Sequence, residues 1–248
     1  MPHLKHDFTA SAPARVGAGM ASAATQGIRE AASGLAALGS TMALCVFAPA
    51  GTLRFVEGWV FLGVFLGASL AITVYLSRED PALLARRTHA GPIAEKQRSQ
   101  KIIQALASLS FIAATVLPSL DHRFGWSRVS LAAVVLGNGL VTLGFLIVFL
   151  VFRENTYTSS VIEVTAEQRV IETGPYAVVR HPMYAGGLVL VAGIPLALGS
   201  PVGLVAWPPF AAVVVWRLLE EERFLAKHLP GYVRYCQKTS VRLVPHLW

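Results

Sequence analysis

Long uncharged runs alternate with short polar links along most of the chain. Four of them, Ala31–Leu53, Gly58–Ser77, Ile102–Leu120 and Val129–Phe152, lie in the first two thirds of the sequence. As a helix, each is long enough to cross about 30 Å of hydrocarbon. A fifth apolar region begins at Pro182 and holds no Lys, Arg, Asp or Glu as far as Trp216. It is too long for one crossing, and Gly199-Ser200-Pro201 is its natural turn. The turn divides it into arms of about Met183–Leu198 and Val202–Leu219. The pattern predicts an all-α, polytopic membrane protein of about six transmembrane helices, the last two forming a C-terminal helical hairpin.

The polar stretches define the rest of the organisation. Residues 1–30, rich in Ala, Ser, Gly and Thr, read as a flexible N-terminal tail. Residues 31–152 read as four N-terminal transmembrane helices, and 153–248 as a C-terminal region with the candidate chemistry. In the second connection, Asp80 followed by Pro81 predicts a capped, short amphipathic helix at the membrane surface. Glu154–Thr173 is polar, with β-like runs at Val161-Ile162-Glu163-Val164 and Arg169-Val170-Ile171, and reads as a flap next to the candidate site. The tail from Glu220, interrupted at Pro230-Gly231, reads as an amphipathic helix folded back under the membrane. Its Tyr232 and Tyr235 read first as interfacial anchors.

Charge adds an orientation. Only 14% of residues are charged and the net charge is +7, against about a quarter charged in a soluble domain. Of the 21 Lys and Arg residues, all but Arg54, Arg123 and Arg128 fall in alternate connections or the tails. The positive-inside rule therefore places both termini in the cytoplasm. The basic excess reads as loops facing anionic lipid, with no nucleic-acid partner. Cys45 and Cys236 form no metal-ligand spacing, and no metal is expected. No Walker loop is present, and Gly137-Asn138-Gly139 lacks the dinucleotide-binding spacing.

The candidate chemistry sits where the polar loop meets the apolar hairpin. Gly174-Pro175 reads as a turn and His181-Pro182 as a helix start, which gathers Tyr176, Arg180 and His181 at a helix mouth on the membrane boundary. Ionisable groups at such an edge are costly unless they have a function. Past the hairpin, Arg217 and Glu221 are spaced to share one helical face.

Gly-x-Tyr-x-x-x-Arg-His-Pro-x-Tyr-x-Gly from Gly174 resembles the signature of the isoprenylcysteine carboxyl methyltransferases. These integral-membrane enzymes are allied to the phospholipid methyltransferases. Arg217, Glu220-Glu221-Glu222, Leu225, Gly231, Tyr232, Tyr235 and Pro245 extend the match, so that it covers roughly Glu167–Pro245. The resemblance implies a bacterial-type member in the inner membrane with a cytoplasmic cofactor pocket. It implies S-adenosyl-L-methionine as cosubstrate, bound by Gln168, Arg169, Val170, Ile171, Tyr176, His181, Pro182, Met183, Tyr184 and Glu221. Gln168 stands where the family usually has a histidine. Arg217, Arg180 and His181 are the implied catalytic residues, with Arg217 on the substrate side; snorkelling of Arg217, or its pairing with Glu221, is the plainer reading. The implied acceptor is lipophilic or lipidated, enters from the bilayer among the membrane lipids, and carries a carboxylate. Two other readings stay open: methylation of a lipid amine or small thiol, and a non-catalytic membrane module or transporter. A transporter should show ionisable groups at mid-span, whereas here they lie at the edges.

The charge asymmetry makes a direct prediction. Reporter fusions at residue 125 and at the C-terminus should report opposite sides of the membrane, and finding both on one side would refute the six-helix arrangement.

Overall fold

A computed structural model describes residues 12–88, 98–158, 164, 168–245 and 248, with side chains from residue 29 on. The β-like run at Val161–Val164 lies outside these residues except for Val164, as do residues 1–11 of the expected tail. Among the described residues the structure is all-helical, with about 79% in helix. In chain order the helices are α1 (Ala12–Ala50), α2 (Val56–Glu79), α3 (Pro81–Thr88), α4 (Arg98–Phe124), α5 (Leu131–Glu154), α6 (Pro182–Ala197), α7 (Trp207–His228) and α8 (Tyr232–Lys238). Short 3-10 turns at Gly174–Ala177 and Val202–Ala206 precede α6 and α7. Among the described residues five segments are long and apolar enough to cross a membrane: Arg29–Ala50, α2, α4, α5 and Val202–His228. α6 is a sixth, shorter apolar helix. α1 begins at Ala12, inside the stretch expected as a tail. Arg169-Val170-Ile171, read as β-like, forms no strand.

Sequence-local chemistry explains several boundaries. Asp80 caps α3 as expected, accepting from the Leu83 N–H at 2.8 Å. Ser130 starts α5 by accepting from Ala133 N–H. Gly174 opens the motif with φ 57°, a left-handed conformation that favours glycine.

The apolar core runs through α1, α2, α4, α5 and α6, with Val46, Phe61, Ala114, Val141 and Ile194 at its centre. α6 and α7 are joined by the expected turn, yet α6 packs chiefly against α5. Glycines seven residues apart on both helices permit this close approach. A Cβ on Gly144 would lie 2.5 Å from Leu190 Cβ and 2.6 Å from the Gly186 carbonyl oxygen. A Cβ on Gly193 would lie 2.6 Å from the Gly137 carbonyl oxygen. In lipid, where burial of apolar surface drives helices together weakly, such backbone proximity supplies the packing.

The two ends of the bundle differ. At one end Asp121, buried, accepts from Ser127 N–H at 2.7 Å and from the Ser127 and Ser200 hydroxyls, and Phe55 stacks on His122. At the other end the start of α4, the ends of α5 and α7 and the start of α6 converge. The basic connections are at this second end, and so are the candidate residues.

Gly144→Leu should force α5 and α6 apart. The expected cost is about 1–3 kcal/mol of overpacking strain, seen as a fall of several degrees in the melting temperature in detergent. An unchanged melting temperature would show that α5 and α6 are not held by this contact.

Candidate functional site

Consecutive residues on a helix point about 100° apart, so Glu220, Glu221 and Glu222 near the end of α7 face three ways. Glu220 turns towards α4, where it accepts from Gln100 Nε2 at 2.6 Å and Ser99 Oγ at 2.9 Å, and it also accepts from Trp216 Nε1 on its own helix at 2.9 Å. Glu222 turns towards the start of α6 and the C-terminal tail. It meets Arg180 Nη1 at 2.9 Å, Arg242 Nε at 3.0 Å and His181 Nε2 at 3.3 Å. Glu221 turns into a pocket and accepts a hydrogen bond from the Tyr184 hydroxyl.

Arg217, one turn before Glu221, donates from Nε to the same Tyr184 oxygen at 3.0 Å and from Nη1 to Gln100 Oε1 at 3.1 Å. Tyr184 therefore accepts from a cation and donates to a carboxylate, which fixes its ring. Gln100, buried on α4, holds Arg217 and Glu220 at once.

The helix mouth is built as the Arg-His-Pro spacing implies. His181 is the N-cap of α6 and Pro182 its first residue. The His181 ring, buried, stacks on Tyr184 with centroids 5.7 Å apart. The tail is hydrogen-bonded to this motif: Arg180 N–H donates to Val241 O at 2.9 Å, His181 N–H to Arg242 O at 3.0 Å, and Arg180 Nη2 to Ser240 O at 3.0 Å.

One pocket is lined by all ten residues expected to hold the cofactor, from Gln168–Ile171 through Tyr176 and His181–Tyr184 to Glu221, together with Arg180 and Arg217. Sequence reasoning missed several other lining residues. Asn155 at the C-cap of α5 donates to the Tyr176 hydroxyl at 2.9 Å. Leu225 and Leu229 supply apolar wall. Tyr232 and Tyr235 also line the pocket. They are buried and pack with Val164, Val170 and Tyr176, which corrects their reading as interfacial anchors. Their i, i+3 spacing after Gly231 was the available signal. Tyr235 donates to the Tyr176 carbonyl at 2.7 Å, while the buried Tyr232 hydroxyl and Arg180 Nε have no hydrogen-bond partner among the described residues.

Burial pushes Tyr176 up to about 12 against an ordinary value of 10.0, with Asn155 opposing and Glu221 reinforcing the rise. Burial likewise raises Tyr232 and Tyr235. At neutral pH all three are neutral hydroxyls, able to donate or to accept.

Residues 132–230 match the family model of phospholipid methyltransferases. The matched span runs from α5 through α7 and ends just before Tyr232 and Tyr235 of the pocket wall. A protein-S-isoprenylcysteine O-methyltransferase B of Arabidopsis thaliana is 29% identical over 147 residues, 54% of this chain and 67% of the relative. This match falls on the segment that carries the motif, and it is a similarity to membrane methyltransferases. The cobalt-zinc-cadmium resistance protein CzcN of Cupriavidus metallidurans is also 29% identical, over 133 residues, 48% of this chain and 62% of that protein. The chain thus spans about two thirds of the length of these relatives.

The raised tyrosines make a pH prediction. Above pH 10 the unfolded chain releases tyrosine protons that the folded protein keeps, so stability falls as pH rises from about 10 towards 12. The expected loss from Tyr176 alone is on the order of 2 kcal/mol. Thermal unfolding in detergent at pH 9, 10 and 11 should show a steeper decline for the native protein than for Tyr176→Phe. Parallel curves would mean that Tyr176 titrates alike in both states.

Proposed function

We propose that this protein is an S-adenosylmethionine-dependent methyltransferase that acts on a lipophilic acceptor carrying a carboxylate. The observation that carries the reading is the pocket itself, in which Glu221 and a cluster of tyrosines meet Arg217 at the end of an apolar bundle. The residues present fit the cosubstrate. Glu221 offers a carboxylate to an ammonium group. The buried Tyr232 hydroxyl and Arg180 Nε, without a hydrogen-bond partner among the described residues, offer donors, and the N-terminus of α6 favours an anion. Tyr176, Tyr184 and the Leu225–Leu229 wall suit an adenine ring and a cationic sulfonium. When bound, the cosubstrate supplies a methyl carbon already activated by its positively charged sulfur, which departs as a neutral thioether.

What remains for the protein is positioning and exclusion of water. Arg217 is fixed by Tyr184 and Gln100 and can orient an anionic acceptor beside the cosubstrate pocket. A carboxylate is ionised at neutral pH and needs no base. An amine or thiol would need one, and the His181–Glu222 pair, at 3.3 Å, is the arrangement that would favour that alternative. Against it, Glu222 also meets Arg180 and Arg242, which gives the carboxylate a structural part in holding the tail. The basic end of the bundle is taken as cytoplasmic, with both termini on that side of a bacterial inner membrane, where a water-soluble cosubstrate and a membrane-held acceptor can meet.

Glu221→Gln should weaken S-adenosylmethionine binding by about tenfold to a hundredfold, the value of a charge-assisted hydrogen bond of about 1.5–3 kcal/mol. Calorimetry on protein with an unaltered melting temperature tests this, and an unchanged affinity would remove Glu221 from the site. With the true acceptor, the rate should be flat from pH 6 to 8 and fall sharply in Arg217→Ala. A rate rising tenfold per pH unit, with Arg217→Ala nearly silent, would move the assignment to an amine or thiol.

A further inference from the structure

We propose that α3 is part of the cosubstrate site: Asp80 and Arg86 act as positioning residues that hold the rim of the pocket through Thr156. The inference rests on the methyltransferase reading above. It adds to that site two residues from outside the matched span 132–230.

α5 ends at Asn155, and the chain then turns along the pocket. Asn155, Tyr157 and Thr158 line the pocket, whereas Thr156, between them, is exposed. The Asn155 side chain holds the turn from within. Its Oδ1 accepts from Tyr157 N–H at 2.9 Å, and its Nδ2 donates to the Tyr176 hydroxyl at 2.9 Å. The place of Asn155 therefore sets the Tyr176 hydroxyl as well as the rim. A rim of this kind binds a ligand well only if it is ordered beforehand, because ordering it at the moment of binding costs conformational entropy.

The order is supplied from outside the pocket. Asp80 stands where α2 ends and α3 begins. Its Oδ1 accepts from Leu83 N–H at 2.8 Å as the helix cap, and its Oδ2 accepts from the Thr156 hydroxyl. Further along α3, Arg86 Nη2 donates to the Thr156 carbonyl. One short helix thus grips Thr156 by side chain and by backbone. α3 is itself fixed, since Leu83 and Leu84 are buried in a cluster with Ala31 of α1, Leu76 of α2 and Phe152 of α5. Its apolar side faces other helices, which makes it a rigid support. Capping alone does not explain the carboxylate. Serine, asparagine and aspartate cap about equally well through a single oxygen, and Asp80 uses both of its oxygens.

That difference provides the test. Asp80→Ser keeps the cap but is too short to hold Thr156 as well. Asp80→Asn can accept from Leu83 and donate to the Thr156 oxygen. Thr156→Val removes the hydroxyl without touching α3, and Thr156→Ser restores it. S-adenosylmethionine affinity is measured by calorimetry on the full-length protein in nanodiscs. Hydrogen exchange at residues 155–158 is followed on the same samples without ligand. Asp80→Ser and Thr156→Val should each weaken binding about threefold to tenfold, the value of one hydrogen bond, and speed exchange in the turn, with melting temperatures unchanged. The double variant should be no worse than either single one, because both remove the same contact. Asp80→Asn and Thr156→Ser should stay close to native. Native affinity in Asp80→Ser and Thr156→Val, losses that add in the double variant, or equal losses in the two conservative variants would each overturn the proposal. Faster exchange as expected, with no S-adenosylmethionine binding by the native protein, would instead overturn the methyltransferase reading.

Discussion

The Glu222 carboxylate ties together three parts of the chain that are distant in sequence. It lies at the end of α7 and meets Arg180 and His181 at the mouth of α6 and Arg242 in the C-terminal tail. The Arg180 and Glu222 side chains are only 9% and 13% exposed, so their charges are largely removed from water. Such an arrangement tolerates little loss, because deleting one partner leaves the other buried and uncompensated, at a cost of about 3–5 kcal/mol. The backbone of Arg180 and His181 donates to Val241 and Arg242 in the same place, so the tail is held by main-chain bonds as well as by charge.

From this tie the rest of the site follows. With Glu222 directed to the tail, helical geometry directs Glu221 to the pocket and Glu220 to α4. The Arg217–Tyr184–Glu221 chain is then set between them, with Gln100 as its outer support. α8 and the tail fold against the polar loop, where Tyr235 bonds to the Tyr176 carbonyl and buries the pocket's aromatic wall. The glycine contacts between α5 and α6 matter to the same end. They bring Asn155, at the end of α5, within reach of Tyr176, just before α6.

The molecule thereby joins two solvents at one end. The pocket side is polar, with charged residues held in place by hydrogen bonds. The helices beside it are apolar, with the Ser69 and Thr73 hydroxyls turned back on their own helix.

Much of this was legible in the sequence. Uncharged runs of sufficient length determine membrane helices because unpaired backbone groups cannot remain in hydrocarbon. Asp80-Pro81 determined a helix start, and the motif from Gly174 gathered Tyr176, Arg180 and His181 at a helix mouth, because caps, turns and helical spacing are local. What is not local was decided only by the tertiary structure. Three adjacent glutamates are equivalent in sequence, and the partners around them, Gln100, Arg180 and Arg242, separate their roles. Tyr232 and Tyr235 look like surface anchors until the tail folds back and removes them from water. Gln100 lies in a polar segment with no motif, and it gained its place only when distant helices closed around it. Side-chain environment depends on which elements become neighbours, and that is set by packing between helices far apart in the chain.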